Sequence, residues 1–168
     1  NGPAAVRYPR GVGPGKPISI KMEALPIGQG ILRRSGERVA ILNFGTLLDR
    51  AIETAEQHDY TVADMRFVKP LDEGLIDSLA SSHDLLVTLE ENTTQGGAGS
   101  AVLEYLQQSG ITAPILQLGL PDRFVDHGKH NDLLASCGLD KAGIEQAIER
   151  RLLTLSSKQQ QWANESNQ

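Results

Sequence analysis

Val39-Ala40-Ile41-Leu42-Asn43-Phe44 runs without a break into Gly45-Thr46 and then into Leu47, Leu48, Ala51, Ile52 and Ala55. The first six residues make a short, mostly apolar run, with β-branched Val39 and Ile41, the pattern of a strand buried on both faces. After Gly45 the apolar residues recur at helical spacing, with Thr46 a natural N-cap and Asp49 three residues on, close to a capping box. A buried strand feeding directly into an amphipathic helix is half of a βαβ crossover.

The same unit recurs down the chain. Tyr60–Arg66 reads as a strand, and Leu71, Leu75, Ile76, Leu79 and Ala80 mark a helix entered through Pro70, with Asp72 and Glu73 at its positive end. Leu85–Leu89 is the next strand, and Ala101, Val102, Tyr105 and Leu106 the next helix. Pro114–Leu118 is a further strand, followed by a short helix over Asn131–Cys137 and a last one over Lys141–Leu155, with Ile144, Ala147, Ile148, Leu152 and Leu155 inward. Upstream, Gly28–Arg34 reads as a short strand before a turn at Ser35-Gly36-Glu37. Strands alternating with helices predict an α/β fold with a mainly parallel sheet covered on both faces.

At the flanks, Gly11–Pro17 holds three glycines and two prolines without periodicity and reads as a linker, while the Gln- and Asn-rich Ser156–Gln168 is expected to fray. Residues 1–38 carry seven Lys or Arg against two Glu, a balance of +5, whereas the other 130 residues carry nine against nineteen, or −10. The N-terminal piece thus differs in kind from the acidic body, and suggests a segment that meets an anion or packs elsewhere. The net charge of −5 argues against a general nucleic-acid binder. No apolar run approaches the ~20 residues of a membrane span. A single Cys137 allows no internal disulfide, and points to a cytosolic or stromal protein.

In an open parallel sheet, ligands bind where strand carboxyl ends run into helix N-termini. Three loops qualify. Asn43-Phe44-Gly45-Thr46 reads as a tight βα turn with a cap. Glu90–Ser100 is glycine-rich, but it is no G-x-x-x-x-G-K-[ST] loop and lacks the third glycine of G-x-G-x-x-G. Glu90 and Glu91 would also repel a phosphate there, so a structural or interface role is the better reading. Asp122–His130 contains Asp126, His127 and His130, a spacing that matches no zinc pattern, and is read as a solvent- or subunit-facing loop; His58 and His83 fall at helix-to-strand junctions on the opposite edge. No G-x-S-x-G elbow occurs, and Cys137, beside Leu133 and Leu134, reads as core. The body offers no complete catalytic set. Arg7 and Arg10, flanking Tyr8-Pro9, are the residues suited to a planar oxyanion such as phosphate, though they need not do the same job.

Ala-Val-Arg-Tyr-Pro-Arg-Gly (5–11), Leu-Pro-Ile-Gly-Gln-Gly (25–30), Ala-Ile-Leu-Asn-Phe-Gly-Thr-Leu (40–47), Asp-Met-Arg-Phe-Val-Lys-Pro-Leu-Asp (64–72), Val-Thr-Leu-Glu-Glu-Asn (87–92), Gly-Gly-Ala-Gly-Ser (96–100) and Gly-Leu-Pro-Asp-Arg-Phe (119–124) stand in this order. Together they resemble the C-terminal part of the 1-deoxy-D-xylulose-5-phosphate synthases, members of the transketolase-like thiamine diphosphate enzymes, over residues 1 to about 153. The resemblance implies a dimeric, Mg²⁺-dependent transferase of three α/β domains that condenses pyruvate with D-glyceraldehyde 3-phosphate, releases CO₂ and feeds isoprenoid, thiamine and pyridoxal biosynthesis. It implies a three-layer transketolase C-terminal-domain-like fold, with helices on both faces of a mixed, mostly parallel five-stranded sheet whose first strand is antiparallel. Residues 1–12 would close the middle, pyrimidine-binding domain, 13–26 would link, 27–155 would form the C-terminal domain, and 156–168 the polar tail.

Carried over by residue, Arg10 matches an arginine that looks like a ligand for the phosphate of glyceraldehyde 3-phosphate, while Arg7 and Tyr8 receive no substrate contact. The family's cofactor, metal and catalytic residues have no counterpart in this chain, so the chain alone is expected to lack catalysis and to bind no cofactor or metal. Its partners would be the upstream domains of the same polypeptide and a second subunit, in a bacterial cytoplasm or plastid stroma. Two other readings remain at this point: a free-standing α/β module that takes a nucleotide or anion at Gly96–Ser100, and the C-terminal domain of a transketolase or a 2-oxo acid dehydrogenase beta subunit.

Overall fold

A computed structural model describes residues 2–5, 15, 20–21 and 23–165, of which 159 and 161–165 are described for backbone alone. Arg7, Tyr8, Arg10 and all of the Gly11–Pro17 stretch except Gly15 therefore lie outside the described residues, as do 166–168.

The elements follow the βα alternation: β1 (Ile31–Arg34), β2 (Val39–Phe44), α1 (Leu48–His58), β3 (Thr61–Asp64), α2 (Glu73–Ser82), β4 (Leu85–Thr93), α3 (Ala98–Gln108), β5 (Ile115–Leu120), α4 (His130–Ser136) and α5 (Lys141–Glu165). The five strands form one sheet in the order β1-β3-β2-β4-β5. β1 pairs antiparallel with β3, and every other pairing is parallel. The mixed, mostly parallel sheet is thus borne out, including its antiparallel first strand.

β2 occupies the centre and is buried along its whole length. Its side chains alternate between two cores, as the period of a strand requires. Val39 and Ile41 meet Leu47, Ala51 and Ala55 of the α1 region, Leu134 of α4 and Ile144 and Ile148 of α5. Ala40, Leu42 and Phe44 turn the other way, onto Ile76 and Leu79 of α2 and Ala98, Val102 and Leu106 of α3. Each fully buried Ile or Leu contributes about 1.5–3 kcal/mol relative to exposure. The result is three layers, with helices on both faces.

Three local expectations are corrected. Thr46 does not cap α1: the N-cap is Leu47, with no side-chain cap bond, and the Thr46 hydroxyl is drawn to a partner across the sheet edge. β4 runs on past Leu89 to Thr93, with an irregularity against β5 between Leu89 and Thr93 that carries the chain into the loop. α5 extends through the residues expected to fray from Ser156, reaching Glu165. Gln and Lys are good helix formers, and Ser156 and Ser157 return their hydroxyls to the carbonyls of Leu152 and Leu153 one turn back.

Asp72 shows how a helix entry is tied to the sheet. As N-cap of α2 it accepts from the Leu75 N–H at 3.0 Å, while its other oxygen accepts from the Gly30 N–H at 2.8 Å, just before β1. One carboxylate therefore starts α2 and anchors the approach to the edge strand. Among the described residues no helix is long and apolar enough to cross a membrane.

Candidate functional site

The strand order reverses between β2 and β4: from β2 the chain moves through α1 to β3 on one side, then returns through α2 to β4 on the other. A crevice at the carboxyl ends of these two strands is the expected ligand position of an open α/β sheet. All three loops singled out from sequence converge there.

Glu91, near the end of β4, is the hub. Its Oε2 accepts from the Thr46 hydroxyl at 2.5 Å, and its Oε1 lies 2.6 Å from Nε2 of His130, the first residue of α4. Beside them Arg50 of α1 donates to Asn131 Oδ1 at 2.8 Å and to the Leu139 carbonyl at 3.3 Å, holding α1 to the start of α4 and to the turn that follows it. Burial pushes the Glu91 carboxyl up, but the hydrogen bonds from Thr46 and His130, with the His130 and Arg50 charges, outweigh it and hold the carboxyl below its ordinary range. The cluster keeps Glu91 ionised and offers no free nucleophile or base.

Glu90, its neighbour, points the other way into the protein and is 3% exposed. Its two carboxylate oxygens accept from the N–H groups of Ala98 and Gly99, each at 2.8 Å, at the start of α3. Those are the donors with which a glycine-rich helix N-terminus would hold a phosphate. Here an internal carboxylate occupies them. Gly97 is required for this arrangement, because a Cβ there would collide with both Glu90 oxygens and the Thr93 carbonyl. The loop is closed further by Ser100, whose hydroxyl donates to the Thr94 carbonyl and accepts from the Gly96 N–H. An anion or nucleotide site at Gly96–Ser100 is overturned: the cradle exists, and the chain fills it.

The remaining candidates separate. Asp126 and His127 stand exposed in the loop before α4, while His130 alone joins the crevice. Cys137, the C-cap of α4, packs partly buried against the core that includes Leu134 and Leu139. His83 ends α2 and meets the Thr61 hydroxyl at 2.8 Å, and His58 ends α1, both at the amino edge as expected. Sequence reasoning missed what His58 does there. With Glu145 and Glu149 of α5 it forms a group whose ligand atoms all lie within 4.8 Å of one another. The signal available was the helical spacing of Glu145 and Glu149, and nothing local linked that pair to a histidine 87 residues upstream.

Residues 28–144 match the family described as transketolase, C-terminal domain. Among curated proteins, the chain is 58% identical over 155 residues to a 1-deoxy-D-xylulose-5-phosphate synthase of Pseudomonas fluorescens, covering 92% of this chain and 24% of that protein. It is 59% identical over 152 residues to the synthase of Pseudomonas aeruginosa strain PAO1 (90% of this chain, 24% of that protein), and 60% identical over 152 residues to that of Methylobacillus flagellatus (90% and 25%). The chain thus spans about a quarter of the length of these relatives. Among solved structures, one described as a split gene transketolase, inactive beta4 tetramer, superposes with a TM-score of 0.71 at 29% identity, covering 77% of this chain and 44% of that one. The resemblance read from the ordered motifs is borne out, and this chain belongs to the family of transketolase C-terminal domains.

Proposed function

We propose that this chain is the C-terminal part of a 1-deoxy-D-xylulose-5-phosphate synthase, a thiamine diphosphate- and Mg²⁺-dependent transferase that condenses pyruvate with D-glyceraldehyde 3-phosphate and releases CO₂. The observation that carries the reading is identity of 58–60% to such synthases over nine-tenths of the chain. The 29% identity to a transketolase chain favours the synthase over its more distant kin. On this reading residues 1–12 close the middle domain, 13–26 link, and 27–155 form the C-terminal domain of a homodimer in a bacterial cytoplasm or plastid stroma.

The donor set argues against cofactor binding by the described residues. The glycine-rich helix N-terminus suited to a diphosphate is filled by Glu90, and the Glu91 carboxylate is engaged by Thr46 and His130. The cofactor supplies carbanion chemistry from elsewhere in the longer protein. This chain alone is then inactive, a reading supported by the description of the similar transketolase chain as an inactive tetramer. Its contribution is a rigid α/β body carrying interdomain and subunit surfaces, and Arg10, whose guanidinium would hold the substrate phosphate.

The test is kinetic and uses the full-length protein. Arg10→Ala removes a charge-assisted hydrogen bond to phosphate, about 1.5–3 kcal/mol, and so should raise KM for glyceraldehyde 3-phosphate on the order of 10- to 100-fold. The KM for pyruvate should stay nearly constant. Equal effects on both substrates would overturn the Arg10 assignment, and a full-length protein unable to condense the two substrates would overturn the reaction itself.

A further inference from the structure

We propose that His58, Glu145 and Glu149 form a binding site for a divalent transition-metal ion of the Zn²⁺ class, one that ties the end of α1 to the first turns of α5. The site lies at the amino edge of the sheet, remote from the crevice, and does not depend on the reaction assigned to the longer protein.

His58 Nε2 lies 2.5 Å from Glu145 Oε1, and the Gln57 side chain donates to the same oxygen at 3.2 Å. Glu149 follows one helical turn later and faces the same group. Two carboxylates at i and i+4 repel and destabilise a helix unless a cation stands between them. Among the described residues Glu149 makes no hydrogen bond or ion pair, so its charge is not answered by a lysine or arginine.

The geometry suits a small ion. Tetrahedral ligation at about 2.0–2.1 Å sets ligand atoms roughly 3.3 Å apart. The observed spacings, from 2.5 Å to no more than 4.8 Å, bracket that value, so side-chain rotations of under about one rotamer well close the site. The imidazole is already oriented, stacked on Tyr60 with centroids 5.3 Å apart and planes 17° from parallel. An imidazole nitrogen with two carboxylate oxygens selects Zn²⁺, Co²⁺ or Ni²⁺ over Mg²⁺ and Ca²⁺, which take oxygen alone. Three protein ligands leave a fourth position for water. His58 and Glu145 are 22% exposed and Glu149 is exposed, so an ion can enter from solvent.

Titration calorimetry of the 168-residue chain with ZnCl₂, free of chelators, should show one equivalent bound with micromolar affinity and a thermal midpoint that rises with Zn²⁺. Co²⁺ should give the intense visible absorption of a four-coordinate site. Glu149→Gln, an exposed change that leaves the fold intact, should weaken Zn²⁺ at least about tenfold, and His58→Gln should abolish binding. His130→Gln should leave it unchanged. No binding at millimolar Zn²⁺, or full affinity in Glu149→Gln, or loss of binding in His130→Gln, would each overturn the site.

Discussion

Two groups of carboxylates, Glu90, Glu91 and Asp72 at the carboxyl edge of the sheet and Glu145 and Glu149 at the amino edge, are handled in opposite ways. At the carboxyl edge three have their donors in place: Glu90 takes two backbone N–H groups of α3, Glu91 takes Thr46 and His130, and Asp72 takes the N–H groups of Leu75 and Gly30. At the amino edge, Glu145 takes His58 and the Gln57 side chain, while Glu149, one helical turn on, makes no hydrogen bond or ion pair among the described residues. The lesson is that a carboxylate with its donors in place is part of the scaffold, whereas one left short of them keeps its capacity to coordinate.

The sharpest way to break this contrast is at Glu90. Glu90→Gln turns one buried acceptor into an amide N–H facing a backbone N–H, and should cost about 3 kcal/mol in urea unfolding. A midpoint equal to the wild type would mean that the α3 N-terminus does not depend on its internal anion.

Glu91 should matter less, because it is partly exposed and solvent screens its pairs; Glu91→Gln should cost a few tenths to about 1 kcal/mol near neutral pH. Its folded pKa is lowered, so its stabilisation is present above the ordinary carboxylate range. That stabilisation is lost as pH falls through the depressed folded value. Stability curves of wild type and Glu91→Gln should therefore differ near neutrality and converge in acid, and a gap that widened on acidification would reverse the sign of the argument.

The smallest effect belongs to the amino edge. Without metal, Glu149→Gln removes a like-charge neighbour and should be neutral or stabilising by roughly 0.2–0.5 kcal/mol. A marked destabilisation would place Glu149 in the scaffold and erase the difference between the edges.

Most of the architecture was legible because hydrophobic periodicity is local. Val39–Phe44 could be recognised as a doubly buried strand from its own six residues, and the βα alternation then placed α1 to α5 in order. The antiparallel β1 came from resemblance, since nothing in Gly28–Arg34 specifies its direction. The site was harder, because the bonds of its hub, Glu91, span 39 and 45 residues and those of Arg50 span 81 and 89. Thr46 looked like a cap on local preference, and the tertiary partner Glu91 prevailed. Glu90 was rightly read as hostile to phosphate, yet the reason is positional. The β4 extension aims it into the helix N-terminus eight residues on, which no adjacent residue signals.

Glu90 also bears on how the domain coexists with its surroundings. An open helix N-terminus beside a glycine-rich turn would collect sugar phosphates, nucleotides and sulfate alike, competing with any true substrate site for the same pool. With the Glu90 carboxylate on the Ala98 and Gly99 N–H groups, this cradle presents neither donor to any of them. Phosphate dependence seen in a longer protein carrying this chain can therefore be traced to other residues, without correction for a decoy in the C-terminal domain.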